Sequence, residues 1–181
     1  MKITKTQLKG CFILEPTLYE DERGIFFESY HKTNLEKALG ETINFVQDNI
    51  SVSKKGVLRG LHFQAGKHAQ TKLVQVLQGE VLDVVVDLRK ESNTYGQHFK
   101  LKLSSKNRKS IFIPKGMAHG FLSMTHEVIF AYKCDAHYRK ESEGGIKYND
   151  PDLDIDWETQ GMELILSPKD LDLPLWKDLQ V

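Results

Sequence analysis

Gly56-Val57-Leu58-Arg59-Gly60-Leu61-His62-Phe63-Gln64 is apolar enough to form a strand, yet it carries an arginine and a histidine on either side of Gly60-Leu61. Side chains three positions apart in a strand point to opposite faces, so Arg59 and His62 share a face only if the chain bulges near Gly60. The segment is read as a bulged strand whose polar pair faces a site. Similar short runs surround it, and candidate strands cover residues 11–14, 25–30, 43–52, 57–63, 72–77, 81–88, 98–103, 110–113 and 128–134. In one of them Phe99, Leu101 and Leu103 alternate with Lys100 and Lys102, the mark of a half-buried strand. Turn residues such as Gln78-Gly79 and Pro114-Lys115-Gly116 separate the runs, a spacing that predicts an all-β sandwich or barrel. Helix signals are few. Thr33 and Glu36 read as a capping box, Leu35, Ala38 and Leu39 as an apolar stripe, and Gly40 as the stop. Beyond residue 140 the chain turns irregular and acidic, without repeat or linker, so residues 1–181 are read as a single domain.

Composition narrows the function. The 181 residues, 40% of them hydrophobic, supply one substantial core. Lys+Arg and Asp+Glu are equal at 25 each, and the chain lacks the basic face that nucleic-acid binding needs. The first residues, Met1-Lys2-Ile3-Thr4-Lys5-Thr6-Gln7, form no apolar signal region, and no run approaches a membrane span. A cytoplasmic protein with neither membrane nor nucleic-acid partner is the expectation. Cys11 and Cys134 have no metal-type spacing and read as buried free thiols.

Among all-β folds of this size, the double-sheet jelly roll of the cupins encloses a pocket. Several of its landmarks are present: Gly56 before His62, Gly79, and Ile113-Pro114-Lys115-Gly116-Met117-Ala118-His119. In metal-binding cupins, however, the place of Gln64 holds a second histidine and that of Lys72 a glutamate. An ammonium group repels a cation, so the pocket is expected to hold no metal.

These landmarks, with Gln47-Asp48-Asn49-Ile50-Ser51-Val52-Ser53, Arg59-Gly60-Leu61-His62-Phe63-Gln64, Ala118-His119-Gly120-Phe121 and Tyr132-Lys133, resemble the dTDP-4-dehydrorhamnose 3,5-epimerase family. The likeness runs from Asp21-Glu22-Arg23-Gly24 to Ser167-Pro168-Lys169-Asp170. It implies a homodimeric, cofactor-free enzyme that inverts C3 and C5 of dTDP-4-dehydro-6-deoxy-D-glucose. Both carbons adjoin the C4 ketone, so a base can remove each proton if the enolate is stabilised.

The resemblance makes His62 the base, and imidazole titrates near working pH. A lone strand histidine is by default a satisfied core residue, but Arg59 and Lys72 nearby in sequence favour a site. Lys72 falls where an ammonium would oppose charge on the C4 oxygen; the plain alternative is a solvated strand-end lysine. Tyr132 matches the proton donor, although by its residues alone it is equally an inward-facing aromatic. Asp170 matches the carboxylate paired with the base, and it also reads as the acid of a helix cap beginning at Ser167. For the substrate, the resemblance implies Arg23, Arg59 and Lys169 on the diphosphate. It adds Gln47, Asp48, Asn49, Glu28, His119 and Glu143 as further ligands and Tyr138 stacked on thymine. Three readings stay open: this epimerase or a related nucleotide-sugar 3-epimerase or ketoisomerase; a metal-dependent cupin enzyme using His62, His68 and His119; and a sugar-binding jelly roll without catalysis.

Overall fold

The computed structural model describes residues 1–179. In chain order the strands are β1 Lys2–Lys5, β2 Phe12–Glu15, β3 Tyr19–Asp21, β4 Gly24–Phe26, β5 Gln47–Lys54, β6 Leu58–Gln64 and β7 Lys72–Gln78. They continue with β8 Glu80–Asp87, β9 His98–Ser104, β10 Ser110–Ile113, β11 Met117–Ser123, β12 Glu127–Cys134 and β13 Glu143–Gly145. The helices α1 Lys32–Leu39 and α2 Pro168–Leu171 are short. No helix among the described residues is long and apolar enough to cross a membrane.

One sheet has the order β1-β2-β10-β7-β12-β5 and the other β13-β6-β11-β8-β9, with β3 and β4 forming a separate ribbon. This is a double-sheet jelly roll of the cupin type. Its inner faces bury Val74, Val76, Val81, Val85, Ile111, Ile113, Phe121 and Phe130. The outer face of the β6-β11-β8 layer would be water-exposed in a plain sandwich. Here Leu58, Leu82, Val84, Val86 and Leu122 are instead covered by the C-terminal stretch, through Ile146, Leu153 and Trp157. That stretch reads as acidic loop in sequence, yet Asp150 is buried and organises it, accepting from the backbone N–H of Asp152, Leu153 and Trp176.

The bulge expected near Gly60 is present. Opposite β11, His62 pairs with His119 but Arg59 pairs with Phe121, so β6 carries one residue more than its partner there. Gly60 sits at φ +121°, and a Cβ on it would lie 2.6 Å from Gly120 Cα and 2.8 Å from the His119 carbonyl oxygen. Only glycine fits this approach.

Several boundaries differ from expectation. The strand expected over 25–30 ends at Phe26. That expected over 43–52 starts at Gln47 and runs to Lys54, because Ile43 is buried with Leu14, Leu35, Leu73 and Phe112 and donates its N–H to Glu36 Oε1. The helix is capped by His31, whose Nδ1 accepts from Asn34 N, and Thr33 lies inside it. Glu36 therefore serves Ile43 rather than a capping box, while Gly40 ends the helix as expected at φ +76°.

Candidate active site

A chamber of about 320 Å³ opens between the two sheets. The stacked rings of Phe121 and Phe130, 4.2 Å apart, form part of its wall. Strands β5, β7 and β12 contribute Ser51, Lys72 and Tyr132 from one sheet, and β6 and β11 contribute Arg59, His62 and His119 from the other. An adjoining recess of about 260 Å³ shares His62, Lys72 and Tyr132 and adds Gln47, Asn49, Tyr138 and Glu143. The three shared residues therefore stand where the two spaces meet.

His62 Nε2 lies 2.5 Å from Asp170 Oδ1. Burial pushes the Asp170 carboxyl up, but the hydrogen bond and charge of His62, with Ser167 and Lys169, outweigh it and hold the group below its ordinary value. An ionised carboxylate only accepts, so Nε2 carries the ring proton and Nδ1 is left as the basic nitrogen. Both sequence readings of Asp170 hold together in the geometry. Ser167 caps α2 by accepting from Asp170 N at 3.1 Å, and its hydroxyl donates to Asp170 Oδ2 at 2.9 Å, which aims Oδ1 at the histidine.

Lys72 stands at the start of β7, and burial lowers its ammonium below the usual lysine value, opposed by the neighbouring Glu143 and Asp83 carboxylates. It is not the solvated strand-end lysine of the plain reading. Burial raises the Tyr132 phenol above its ordinary value, the nearby Arg59 charge pulling the other way. In this chamber an imidazole, an ammonium and a phenol thus line one space. Such a set can remove a carbon-bound proton, hold the resulting oxyanion and return a proton.

Around them, Arg59 donates from Nε to Ser53 Oγ at 3.1 Å and faces the chamber beside His62, as the bulge requires. Glu143 is not a solvated charge. Burial raises its carboxyl, but Lys169 Nζ at 2.5 Å and the Tyr138 hydroxyl at 2.8 Å bring it below its usual value. Gln47 and Asn49 point inward, with Gln47 Nε2 donating to Asn49 Oδ1 at 3.0 Å.

Three expected site residues lie elsewhere. Asp48 alternates with Gln47 and Asn49 along β5, so it faces the outer surface and pairs with Lys133 at 3.0 Å. Arg23 sits on the β3–β4 ribbon in an ion pair with Asp21, and Glu28 is exposed and borders neither space. The histidine set of the metal reading does not assemble. His119 Nε2 is engaged with Asp83 Oδ2 at 2.8 Å, and among the described residues no group of three or more His, Cys, Asp or Glu side chains is placed to hold a metal ion.

Two groups went unnoticed in the sequence. Asp83 is fully buried in the apolar run of β8, and its Oδ1 has no partner among the described residues. A lone carboxylate between Leu82 and Val84 was the available signal. Ser51, whose buried hydroxyl also lacks a partner there, continues the inward polar register of Gln47 and Asn49.

A family model described as dTDP-4-dehydrorhamnose 3,5-epimerase matches residues 5–178. The chain is 48% identical to the dTDP-4-dehydrorhamnose 3,5-epimerase of Methanothermobacter thermautotrophicus, over 99% of this chain and 95% of that one. Its fold superposes on the crystal structure of the Elizabethkingia anophelis enzyme of that name with a TM-score of 0.96 at 51% identity, covering 100% of this chain and 99% of that one. A Legionella pneumophila dTDP-6-deoxy-D-glucose-3,5-epimerase in complex with dTDP-4-keto-L-rhamnose gives a TM-score of 0.94 at 49% identity, covering 99% and 94% of the two chains.

Proposed function

This chain belongs to the dTDP-4-dehydrorhamnose 3,5-epimerase family, and we propose that it inverts C3 and C5 of dTDP-4-dehydro-6-deoxy-D-glucose with His62 as base, Lys72 as oxyanion partner and Tyr132 as acid. The reading rests above all on one observation: these three groups line a single chamber, with Asp170 bonded to the ring of His62. His62 Nδ1 takes the proton from the carbon next to the C4 ketone. The electron pair moves onto the C4 oxygen, where the Lys72 ammonium opposes the charge, and Tyr132 delivers a proton to the opposite face of the same carbon. The protonated His62 then gives up its proton and the tyrosinate regains one by exchange with solvent, and the cycle repeats at the second carbon. No electrons leave the sugar, so no cofactor is called for.

Arg59 and Lys169 serve the diphosphate, Gln47, Asn49, His119 and Glu143 hold the sugar and nucleotide, and Tyr138 stacks on thymine. Residues 1–181 act as one jelly-roll domain of a cytoplasmic homodimer. Exposed apolar side chains support the dimer: Tyr19 and Phe26 on the ribbon and Ile50 and Val52 on edge strand β5. Arg23 and Glu28, outside the chamber of their own chain, join a substrate site only through that assembly.

The role of Lys72 has a pH signature. Its charged form is the active one, and its lowered value means the ammonium is lost at a lower pH than an exposed lysine would lose it. Tyr132, shifted upward, keeps its proton over that range. The turnover rate is therefore expected to fall on the alkaline side through Lys72. Lys72→Met should lose roughly 10²- to 10³-fold in kcat and lack that alkaline limb in its residual rate. A Lys72→Met profile that keeps the same limb would remove the lysine from the mechanism.

A further inference from the structure

Residues 135–139, between β12 and the turn at Lys140–Ser142, have no regular structure, yet glutamine side chains hold their backbone at three points. Gln70 Nε2 donates to the Ala136 carbonyl at 2.8 Å. Tyr138 N donates to Gln47 Oε1 at 3.0 Å, and Arg139 N donates to Gln64 Oε1 at 2.9 Å. The three glutamines come from β5, β6 and the connection between β6 and β7, so the segment is tied to both sheets. Gln64 and Gln70 are 6% and 9% exposed and border the recess beside Lys72.

His137, Tyr138 and Arg139 are exposed and Ala136 is half-buried, so a segment with this surface could meet its backbone hydrogen bonds in many conformations. The two buried amides hold it in one. What they add is a fixed geometry, since a buried, fully partnered polar group specifies one arrangement where a solvated one allows many. The beneficiary is Tyr138. The residue is 47% exposed and borders the recess, its backbone N–H is held by Gln47, and its hydroxyl donates to Glu143 Oε2 at 2.8 Å.

We infer that Gln64 and Gln70 are positioning residues that hold the 135–139 segment so that Tyr138 forms a preset platform for the nucleotide base. This rests on the reading above that the base stacks on Tyr138. A platform fixed before binding avoids the cost of ordering it during binding, which favours a planar base over ligands lacking one.

The test measures dTDP affinity by calorimetry for Gln64→Leu and Gln70→Leu, each in the parent and in a Tyr138→Ala background, together with amide exchange at Tyr138 and Arg139. Both variants should fold, because each substitution removes one hydrogen bond to a segment outside the strands and leaves both core layers intact. In the parent background each is expected to weaken dTDP binding about tenfold, with faster amide exchange and with KM rising while kcat stays within about twofold. In the Tyr138→Ala background the loss should shrink below about twofold, since the platform is already gone. Equal losses in both backgrounds would overturn the inference by showing that the glutamines touch the nucleotide or merely support the fold. Parent-like affinity with Tyr138 present would overturn it as well. Tyr138→Ala that binds dTDP like the parent would overturn the stacking role and the inference together, whereas a parent protein that binds no dTDP would overturn the nucleotide-sugar reading itself.

Discussion

His62→Ala is expected to lose product formation by roughly 10²- to 10⁴-fold, the range for removal of a general base. Steady-state turnover on dTDP-4-dehydro-6-deoxy-D-glucose reads it directly. The loss should extend to solvent exchange at both C3 and C5, because the proposed mechanism assigns both proton abstractions to His62. Lys72 is assigned to the oxyanion and His119, which engages Asp83 at 2.8 Å, to the substrate, so neither replaces the base in this scheme. The same substitution strips Asp170 of its main partner. It should therefore cost about 1–3 kcal/mol of stability from a buried acceptor left short, visible as a lower denaturation midpoint. Asp170 keeps the Ser167 hydroxyl, which limits that cost. Near-parent turnover by a folded His62→Ala protein would assign the base elsewhere.

Tyr132→Phe is expected to separate two events that the parent couples. Removing one hydroxyl leaves the ring packing against Phe130, 6.3 Å away between centroids, and leaves Lys72 and His62 in place. Proton abstraction then outlives inversion. Substrate binding should stay close to that of the parent, since the hydroxyl is needed in the transition state, while formation of the L-sugar falls by roughly 10²- to 10⁴-fold. Washout of deuterium from labelled substrate should persist, because His62 can remove a proton and return one on its own side. Formation of the L-sugar at the parent rate would make water or another residue the donor and reduce Tyr132 to a packing aromatic.

Where one face of a strand is dry and the other wet, period two exposes the strand to sequence reading, and β9 with its alternating lysines was legible for that reason. Strand β11 was not. All seven of its residues are buried, so Met117–Ser123 shows no alternation and reads only as a histidine motif. The bulge at Gly60 was legible because two polar residues at odd spacing in an apolar strand demand one. Asp48 entered the site through the resemblance, although the same period-two rule that turns Gln47 and Asn49 inward turns it out. The polar C-terminal stretch concealed its function as a cover because its buried apolar residues, Ile146, Leu153 and Trp157, are spaced irregularly and are held by the Asp150 turn rather than by a repeating element. The His62–Asp170 contact joins residues 108 positions apart, and sequence could offer it only through resemblance.

The central claim is that one base and one acid, on opposite sides of the sugar, act at both carbons flanking the C4 ketone. It is tested most directly by incubating the parent protein with dTDP-4-dehydro-6-deoxy-D-glucose in deuterium oxide and resolving label at each carbon by NMR. Deuterium at both C3 and C5, with both lost in His62→Ala, is the predicted result. Label at C3 alone, or none at either carbon in a protein that binds the nucleotide sugar, would contradict it.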